Sequence, residues 1–420
     1  MTEQFQWFNA LSTRASLEGA IAEVVTQIEE KLTGSADLGV VFISAAFTSE
    51  YSRLVSLLTE KLPIKVLIGC GGASIIGTNT NGDPQELEDR PALSLTVAHL
   101  PGVEIKSFQL TEKDLPDLDS SPDAWTEIFG VTAAAEPSFV LFADPFSSSI
   151  NDLLAGLDFA YPGSVKVGGL ASSGGMGVAN GLFCYGADQE NGSTMLREGT
   201  VGVALAGNIR VEAIVAQGCR PIGDVYQITH SERNIITELS LRQDGDDVKT
   251  GAPLKLLQGL LSSLEPEDQV LAQDSLFIGI AMDEFKLKLI HGDFLIRNLL
   301  GVDPKTGAMA VGDRIRSGQR IQFHLRDAET SAEDLSVLLR QYAEKQTSKT
   351  MDNYGALLFS CMGRGKGLYG EPNFDANMFT SFLPNPSLGG FFCNGEIGPV
   401  GDRTFLHGYT SVFGIFRPKY

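Results

Sequence analysis

No apolar run in this sequence approaches the roughly 20 residues that a helix needs to cross a bilayer. The amino-terminal stretch MTEQFQWFNA also lacks the basic region and the apolar core that mark a signal peptide. We therefore expect a cytoplasmic protein with no membrane segment.

Cysteine and histidine are scarce, at five residues each in a chain of 420. The cysteines are odd in number, widely spaced and without a CxxC pair, which argues against a disulfide framework and against a zinc site. The histidines are scattered and match no HExxH pattern. We predict reduced thiols and no metal site.

Basic residues are also in short supply, because 32 lysines and arginines stand against 52 acidic residues and leave a net charge of −20. A surface of this charge repels phosphate groups, so neither a nucleic acid nor an anionic membrane is expected as a partner. The hydrophobic content of 43% is that of a globular protein. The length is sufficient for about two or three domains.

Glycine, in contrast, is abundant and recurs at a particular place. Three times, an apolar run is followed by a segment of helical periodicity and by a second apolar run that ends in a glycine-rich turn. This order predicts β-α-β units, and the strands between them predict mixed, partly parallel sheets flanked by helices, an α/β fold of two domains. The units cover residues 38–69, 139–168 and 356–393, and their turns read IGCGGASIIG, GGLASSGG and NGEIG.

These turns lie at the carboxyl ends of strands, where open α/β sheets place their ligand crevices. A structural alternative is that tight turns simply require glycine. A formal dinucleotide fingerprint, Gly365-x-Gly367-x-x-Gly370, is followed by Glu371, whose carboxylate would stand where a phosphate binds. We therefore predict no cofactor.

Changes of pattern suggest the domain boundaries. Residues 16–33 have the periodicity of an amphipathic helix, and a fresh strand at residues 225–229 follows a turn that ends at Gly223. We predict a helical extension over residues 1–35, a first domain over 36–223 and a second domain over 224–420. The acidic, proline-containing stretches 79–90 and 111–123 are interpreted as surface excursions.

The carboxyl-terminal segment concentrates residues that could carry chemistry. An apolar strand halts at Cys393, the dipeptides Asn394-Gly395 and Gly398-Pro399 indicate turns, and residues 404–416 are predicted as one further strand. Alternation along that strand would place on one face Phe405, His407, Tyr409 and Ser411.

Cys393, Glu396 and His407 could then converge. A histidine that lowers the pKa of the thiol would make Cys393 a nucleophile, with Glu396 orienting the ring. The structural alternative is a buried, inert cysteine at the end of an apolar strand.

This segment resembles the carboxyl-terminal signature of the FIST domain family, a cysteine followed by Gly-Glu-Ile-Gly-Pro and then by a strand with His-Gly-Tyr-Thr. Here the motifs are Cys393 to Pro399 and His407 to Thr410. The stretches FLIRNLLGVDPKTGAMAVGD, IQFHLRDA and FSCMGRGKGLYG also resemble the C-terminal domain of that family, and IGCGGASIIG, GGLASS and QGCRPIG resemble its N-terminal companion. The resemblance covers roughly residues 36–416.

The resemblance implies an intracellular sensory module for small ligands such as amino acids; a related domain pair occurs in an F-box ubiquitin-ligase adaptor. The loop that contains Arg364 could hold a small carboxylate, and Glu396 could pair with an ammonium group. The alternatives are an arginine paired with a structural carboxylate and an exposed turn glutamate. The predicted binding residues are Gly363, Arg364, Gly365, Lys366, Cys393, Asn394, Glu396, His407, Cys70, Gly71, Ser172, Ser173, Cys219 and Arg220.

Arg297 lies in the apolar stretch FLIRNLLGVDP, where its charge requires a partner. Asp303 and Asp313 are the candidates in the adjoining turns, and a ligand contact is the alternative.

Three functional hypotheses follow. In the first, a small polar metabolite, such as an amino acid, binds in an interdomain cleft and favours one domain arrangement, and the signal passes to a partner protein because no kinase, cyclase, chemoreceptor or F-box segment is attached. In the second, the chain is a non-catalytic adaptor for another protein. In the third, it is a thiol-dependent enzyme that uses Cys393, His407 and Glu396.

Overall fold

The computed structural model describes residues 4–174, 180–186, 193–242, 248–290, 292–346, 354–384 and 387–419. Strands dominate this part of the chain, and their bounds, in chain order, are β1 Gln6–Ser12, β2 Ala36–Ser44, β3 Ile64–Gly72, β4 Ile75–Thr78, β5 Pro84–Leu87, β6 Leu93–His99, β7 Val103–Leu110, β8 Ser138–Ala143, β9 Lys166–Leu170, β10 Leu182–Gly186, β11 Ser193–Leu196, β12 Thr200–Gly207, β13 Arg210–Ala216, β14 Arg220–Glu232, β15 Ile235–Arg242, β16 Val248–Gly251, β17 Leu276–Ala281, β18 Phe294–Val302, β19 Met309–Val311, β20 Arg320–Leu325, β21 Gly355–Cys361, β22 Ser387–Cys393, β23 Glu396–Val400, β24 Arg403–His407 and β25 Ser411–Arg417.

The helices lie between these strands. Their bounds are α1 Leu17–Glu29, α2 Tyr51–Lys61, α3 Pro122–Phe129, α4 Ile150–Ala160, α5 Pro253–Ser263, α6 Pro266–Leu271, α7 Ala328–Lys345, α8 Gly365–Tyr369 and α9 Phe374–Phe382, with short 3-10 turns at Ala45–Glu50, Glu112–Asp114 and Ala133–Ala135. No helix in these described ranges combines the length and the apolar character that crossing a membrane requires.

The chain divides into two compact units. The larger unit comprises Met1–Val215 and Val337–Tyr420, and the smaller one comprises Ala216–Ser336. Three sheets belong to the larger unit, with the strand orders β1-β6-β2-β3-β10-β11, β24-β23-β9-β8-β12-β7 and β13-β25-β21-β22-β4-β5. The smaller unit holds the sheet β14-β20-β17-β18-β19-β15-β16. The larger unit thus combines residues from both ends of the chain. Gly223, where the sequence suggests a domain boundary, lies inside β14.

All three predicted β-α-β units are confirmed. In each, the two strands pair in parallel, β2 with β3, β8 with β9, and β21 with β22. The other pairings of these sheets are mostly antiparallel, which confirms the mixed α/β fold. In the second β-α-β unit, a Cβ on Gly168 of β9 would lie 1.9 Å from the carbonyl oxygen of Leu141 in β8. Only glycine therefore allows these two strands to approach so closely.

The interior of the larger unit is formed around four phenylalanines, Phe42, Phe142, Phe359 and Phe391, here called the phenylalanine cluster. They come from β2, β8, β21 and β22 and therefore from all three sheets of this unit. Ring centroids are 4.9 Å apart for Phe42 and Phe391 and 5.9 Å apart for Phe142 and Phe359. The cluster holds the three β-α-β units against one another, because each unit contributes at least one of its rings.

The prediction of a single strand over residues 404–416 is wrong. β24 ends at His407 and β25 begins at Ser411. Tyr409 between them has a backbone φ of +62°, which residues other than glycine rarely adopt. β24 pairs with β23 in one sheet, whereas β25 pairs with β21 in another. The alternation of faces is therefore interrupted at Tyr409.

The turn predicted at Gly398-Pro399 is also wrong, because both residues lie inside β23. Of the residues in β23, Glu396 and Ile397 pair with β9, and Pro399 does not. Proline is compatible with this position because no donor to β9 is needed there.

The first 35 residues contain a strand in addition to the predicted helix. β1 pairs antiparallel with β6, and Asn9 is buried within it, where its amide donates to the hydroxyls of Ser94 and Thr96 at 2.9 Å each. The segment QWFNALS does not show a clear strand pattern in the sequence, because the polar Asn9 stands at a buried position. Its hydrogen-bond partner Ser94 lies 85 residues away in the chain, so no local pattern indicates that Asn9 is buried.

The stretch 79–90 is likewise not wholly a surface excursion. It contains β5, which pairs antiparallel with β4. Glu86 of this strand is buried.

Candidate functional site

The glycine-rich ends of β3, β9, β21 and β22 meet in the larger unit, and we call this arrangement the loop cluster. The amide N–H of Asn394 donates to Leu170 O at 3.1 Å, and the Asn394 side chain donates to Ala171 O at 2.9 Å. The N–H of Ser172 donates to Gly71 O at 3.1 Å. Turns that are far apart in sequence are therefore linked by direct hydrogen bonds.

Ser172 and Ser173 are both part of the loop cluster. The hydroxyl of Ser172 donates to Phe392 O and accepts from the N–H of Ala73 at 2.9 Å. Gly71 is enclosed, because a Cβ there would lie 2.1 Å from Ser173 Oγ. These residues pack the turns together, as their small side chains allow.

Glu396 has the most unusual environment in the loop cluster. Its side chain is fully buried, Oε2 accepts from the N–H of Thr410 at 3.1 Å, and Oε1 has no hydrogen-bond partner in the part of the chain that is described. Burial raises the pKa of Glu396 well above its usual value, although the Thr410 N–H, the Arg364 charge and the Cys361 thiol act in the opposite direction. Burial thus favours the protonated form of the carboxyl group, and the exposed turn glutamate considered from sequence is not what the structure shows.

Cys393 and His407 both lie close to this carboxyl group. His407 is opposite Glu396 in the β23–β24 ladder, and its Nε2 donates to Gly398 O at 3.0 Å. Cys393 is fully buried, and its pKa is raised well above the usual value by burial and then by Glu396, Cys70 and Cys361. A nucleophilic cysteine needs the opposite shift, so this environment favours an inert thiol.

Arg364 is buried in an ion pair with Asp375 at the start of α9. The guanidinium donates from Nε to Asp375 Oδ2 at 2.8 Å and from Nη2 to Oδ1 at 3.0 Å, and it also donates to Tyr369 and to Tyr409 O. Although burial acts to raise it, the Arg364 charge holds the pKa of Asp375 below its usual value. The structural alternative considered for Arg364, a carboxylate partner within the chain, is the arrangement present.

Glu86 adjoins this ion pair. Its Oε1 accepts from the N–H of Ala376 at 2.8 Å, whereas Oε2 has no partner in the described ranges. Burial and then the negative charge of Asp375 raise the pKa of Glu86 to about 8. The carboxyl group of Glu86 is consequently protonated in the folded protein at neutral pH.

This pKa predicts a pH effect on stability that Glu86→Gln removes. The unfolded chain, with a pKa near 4.5, loses a proton that the folded chain keeps, so the contribution of Glu86 is full below pH 4.5 and is lost as the pH rises toward 8. Between pH 5 and 7 the wild type should lose about 2 to 3 kcal/mol of unfolding free energy relative to Glu86→Gln. Urea denaturation at pH 5, 6 and 7 measures the difference.

The matched control for that experiment is Glu371→Gln, because Glu371 is exposed. Its stability should follow that of the wild type at each pH. Parallel curves for wild type and Glu86→Gln would show that Glu86 is ionised in the folded state and would contradict the assignment.

The remaining predicted residues are distributed between the two units. Gly365 begins α8 with a φ of +61°, and Lys366 is exposed, with its N–H donating to Glu88 at 3.0 Å. Gly363 lies in the turn before Arg364, and Cys70 is fully buried near Cys393. The smaller unit contains Cys219, which is buried, and Arg220, which pairs with Asp268 and Asp327.

Sequence reasoning missed two carboxylates of this site, Asp375 and Glu86. Asp375 stands within the predicted β-α-β unit of residues 356–393 and Glu86 within the stretch interpreted as a surface excursion, and neither belongs to a recognisable motif. The available signal for Glu86 was the short run PQEL between turns. Within the described residues, no group of three or more cysteine, histidine or acidic side chains is arranged to hold a metal ion.

Two protein-family models match the chain. The FIST N domain matches residues 37–242, and the FIST C domain matches residues 253–399. Both matched segments contribute to the loop cluster, the first with residues such as Cys70 and Ser172, and the second with Arg364, Cys393 and Glu396.

Full-length similarity to mycobacterial proteins supports these matches. The uncharacterized protein Rv0628c of Mycobacterium tuberculosis is 32% identical over 407 residues, covering 97% of this chain and 98% of its own length. The uncharacterized protein Mb0898c of Mycobacterium bovis is 32% identical over 398 residues, covering 94% and 95%. An F-box/LRR-repeat protein of Arabidopsis thaliana, At5g63520, is 23% identical over 374 residues, covering 77% of this chain and 67% of its own length.

Proposed function

Because the chain belongs to the FIST family, whose domains are associated with sensing and signal transduction, we propose that it binds a small amine-bearing metabolite at the loop cluster and signals through a partner protein. An amino acid or a related amine carries the ammonium group that a buried carboxyl group would select. The proposal includes the cytoplasmic location, and the five cysteines, none of which forms a disulfide, fit a reducing compartment.

The observation that carries the proposal is that the Oε1 atom of Glu396 is buried and makes no hydrogen bond within the described residues. A buried polar atom without a hydrogen bond costs free energy, about 1 to 3 kcal/mol from mutational data. An ammonium group within reach of Oε1 would supply the missing donor and an opposite charge. Such unsatisfied groups call for a specific explanation, and a ligand contact supplies one here.

The geometry favours recognition of an amine over recognition of a carboxylate. Arg364, the expected carboxylate contact, already makes two bonds with Asp375. A carboxylate ligand would have to displace a buried partner that is held from several sides. Glu396, in contrast, has an oxygen, Oε1, that makes no hydrogen bond within the described residues. We therefore assign Arg364 to positioning of the cluster and Glu396 to ligand contact.

Binding should also release a proton. Burial raises the pKa of Glu396 and so favours its protonated form in the protein alone, whereas an ammonium neighbour stabilises the carboxylate form. Amine binding should therefore release a proton from this carboxyl group. Isothermal titration calorimetry in two buffers of different ionisation enthalpy counts this proton.

The test is a thermal-shift screen of the full chain with amino acids, other primary amines, small carboxylates and nucleotides, repeated with Glu396→Gln. Ligand at 100 times its dissociation constant stabilises by about 2.7 kcal/mol, which gives a clear shift. We expect stabilisation by an amine in the wild type and its loss in Glu396→Gln, which keeps the shape of the neutral carboxyl group. The exposed Glu371→Gln should respond as the wild type does.

A panel without any stabilising amine, or an amine that stabilises Glu396→Gln equally, would contradict the site. Stabilisation by an amine without proton release would contradict only the assignment of Glu396 as the group that contacts the amine.

An adaptor role is the second candidate, because one stretch of the smaller unit exposes large apolar side chains. Phe285, Leu287 and Ile290 follow one another there and are 90%, 99% and 56% exposed. Exposed apolar patches often mark protein contacts. If no compound of the panel binds, a partner that is retained by the wild type and lost with Phe285→Ser would support the adaptor.

A further inference from the structure

The smaller unit has a groove of its own, and none of the residues that line it belongs to the loop cluster. Its volume is about 740 Å³, inside the range of roughly 300 to 1,000 Å³ that is typical of small-molecule sites. Its walls are formed by the tip of the β14–β15 hairpin, one residue of β18, the last residue of β19 and the chain that follows it. A site of this size accommodates a small molecule rather than a folded partner.

The groove is positively charged in a protein whose net charge is −20. Arg233 and Arg314 both line it, are exposed, and have no ion-pair partner among the described residues. Asp313 also lines the groove, but it accepts from Arg297 Nε at 2.6 Å and from the Arg314 N–H at 2.7 Å. The one carboxylate of the lining is therefore neutralised, while two guanidinium groups are left for an anion.

Apolar side chains complete the lining. Val311 and Ile315 are buried, and Leu300 is 61% exposed although it is large and apolar. A ligand that covered Leu300 would remove this apolar surface from water, which is favourable. The lining thus combines cations with an apolar wall.

The backbone of Arg233 gives an independent indication. Glu232 pairs with Ile235, so Arg233 occupies the first place of a two-residue hairpin loop, and its φ is +55°. Glycine is preferred at such a place, and a larger residue there is strained. Ile315 holds the strained residue by donating its N–H to Arg233 O at 2.7 Å. Strained residues of this kind cluster at functional sites.

We propose that this groove binds a small amphipathic carboxylate, with the anionic group between Arg233 and Arg314 and the apolar body against Leu300, Val311 and Ile315. Charge complementarity selects the carboxylate, and the apolar wall selects its hydrocarbon or aromatic body. This site is independent of the amine site proposed at Glu396.

Calorimetric titration of the full chain with octanoate, octanamide and acetate tests the proposal. Octanoate should bind, and octanamide, which lacks the charge, and acetate, which lacks the apolar body, should each bind at least tenfold more weakly. Arg314→Ala and Arg233→Gly should each weaken octanoate binding at least tenfold. Arg90→Ala, a change at an exposed arginine of the larger unit, should leave it unchanged.

Arg233→Gly separates binding from folding. Because glycine relieves the positive φ, the melting temperature of this variant should be no lower than that of the wild type, while octanoate binding falls. Glu396→Gln should bind octanoate as the wild type does, so failure at one site is distinguishable from failure at the other. Absence of octanoate binding, equal binding of octanamide, or unchanged binding in both arginine variants would overturn the proposal.

Discussion

Phe391→Ala should lower the unfolding free energy of the larger unit by about 3 to 5 kcal/mol. Phe391 is fully buried, and its ring lies 4.9 Å from that of Phe42 and 6.0 Å from those of Phe142 and Phe359. Truncation would leave a cavity where the three sheets of this unit meet. The surrounding rings belong to strands held in ladders, so they can fill the cavity only partly.

Urea denaturation followed by tryptophan fluorescence measures this loss. The sequence contains two tryptophans, Trp7 and Trp125, and both lie in the larger unit, so the signal reports that unit. Phe146→Ala is the matched control, because Phe146 is 80% exposed, and its effect should stay within about 0.5 kcal/mol. A loss below 1 kcal/mol for Phe391→Ala would show that the phenylalanine cluster does not hold the sheets together.

Asp375→Ala should have a similarly large effect, about 3 to 5 kcal/mol, for an electrostatic reason. The substitution leaves the Arg364 charge buried without its carboxylate, and it also removes the acceptor for Tyr369 and Ser411. The desolvation cost of the guanidinium then has no compensation. Fluorescence-detected urea denaturation again gives the value.

A double substitution separates the ion pair from simple packing. Arg364→Leu with Asp375→Leu removes both charges, so it should cost less than Asp375→Ala alone. The exposed Asp402→Ala should have little effect. If the double variant were the less stable one, loss of packing and of the neighbouring hydrogen bonds would account for Asp375 better than charge burial does.

Local patterns were sufficient for the three β-α-β units. Apolar runs, helical periodicity and glycine turns are properties of short segments, and the structure pairs the corresponding strands in parallel. The same patterns failed where partners are distant. β1 was missed because the hydroxyl partners of Asn9 come from β6, and residues 404–416 were misread because Tyr409 adopts a positive φ between strands of two different sheets.

The sequence by itself determined the class of fold, the family and the turns that meet in the loop cluster, because each of these follows from contiguous residues. For Arg297 the neighbouring turns offered two candidates, Asp303 and Asp313, and the structure shows the pair with Asp313. Only the tertiary structure decided the chemistry at the cluster. Burial raises the pKa of Glu396 and Glu86, and the ion pair with Asp375 occupies Arg364. Desolvation and pairing depend on the elements packed around each group, and those elements come from segments that no local pattern connects.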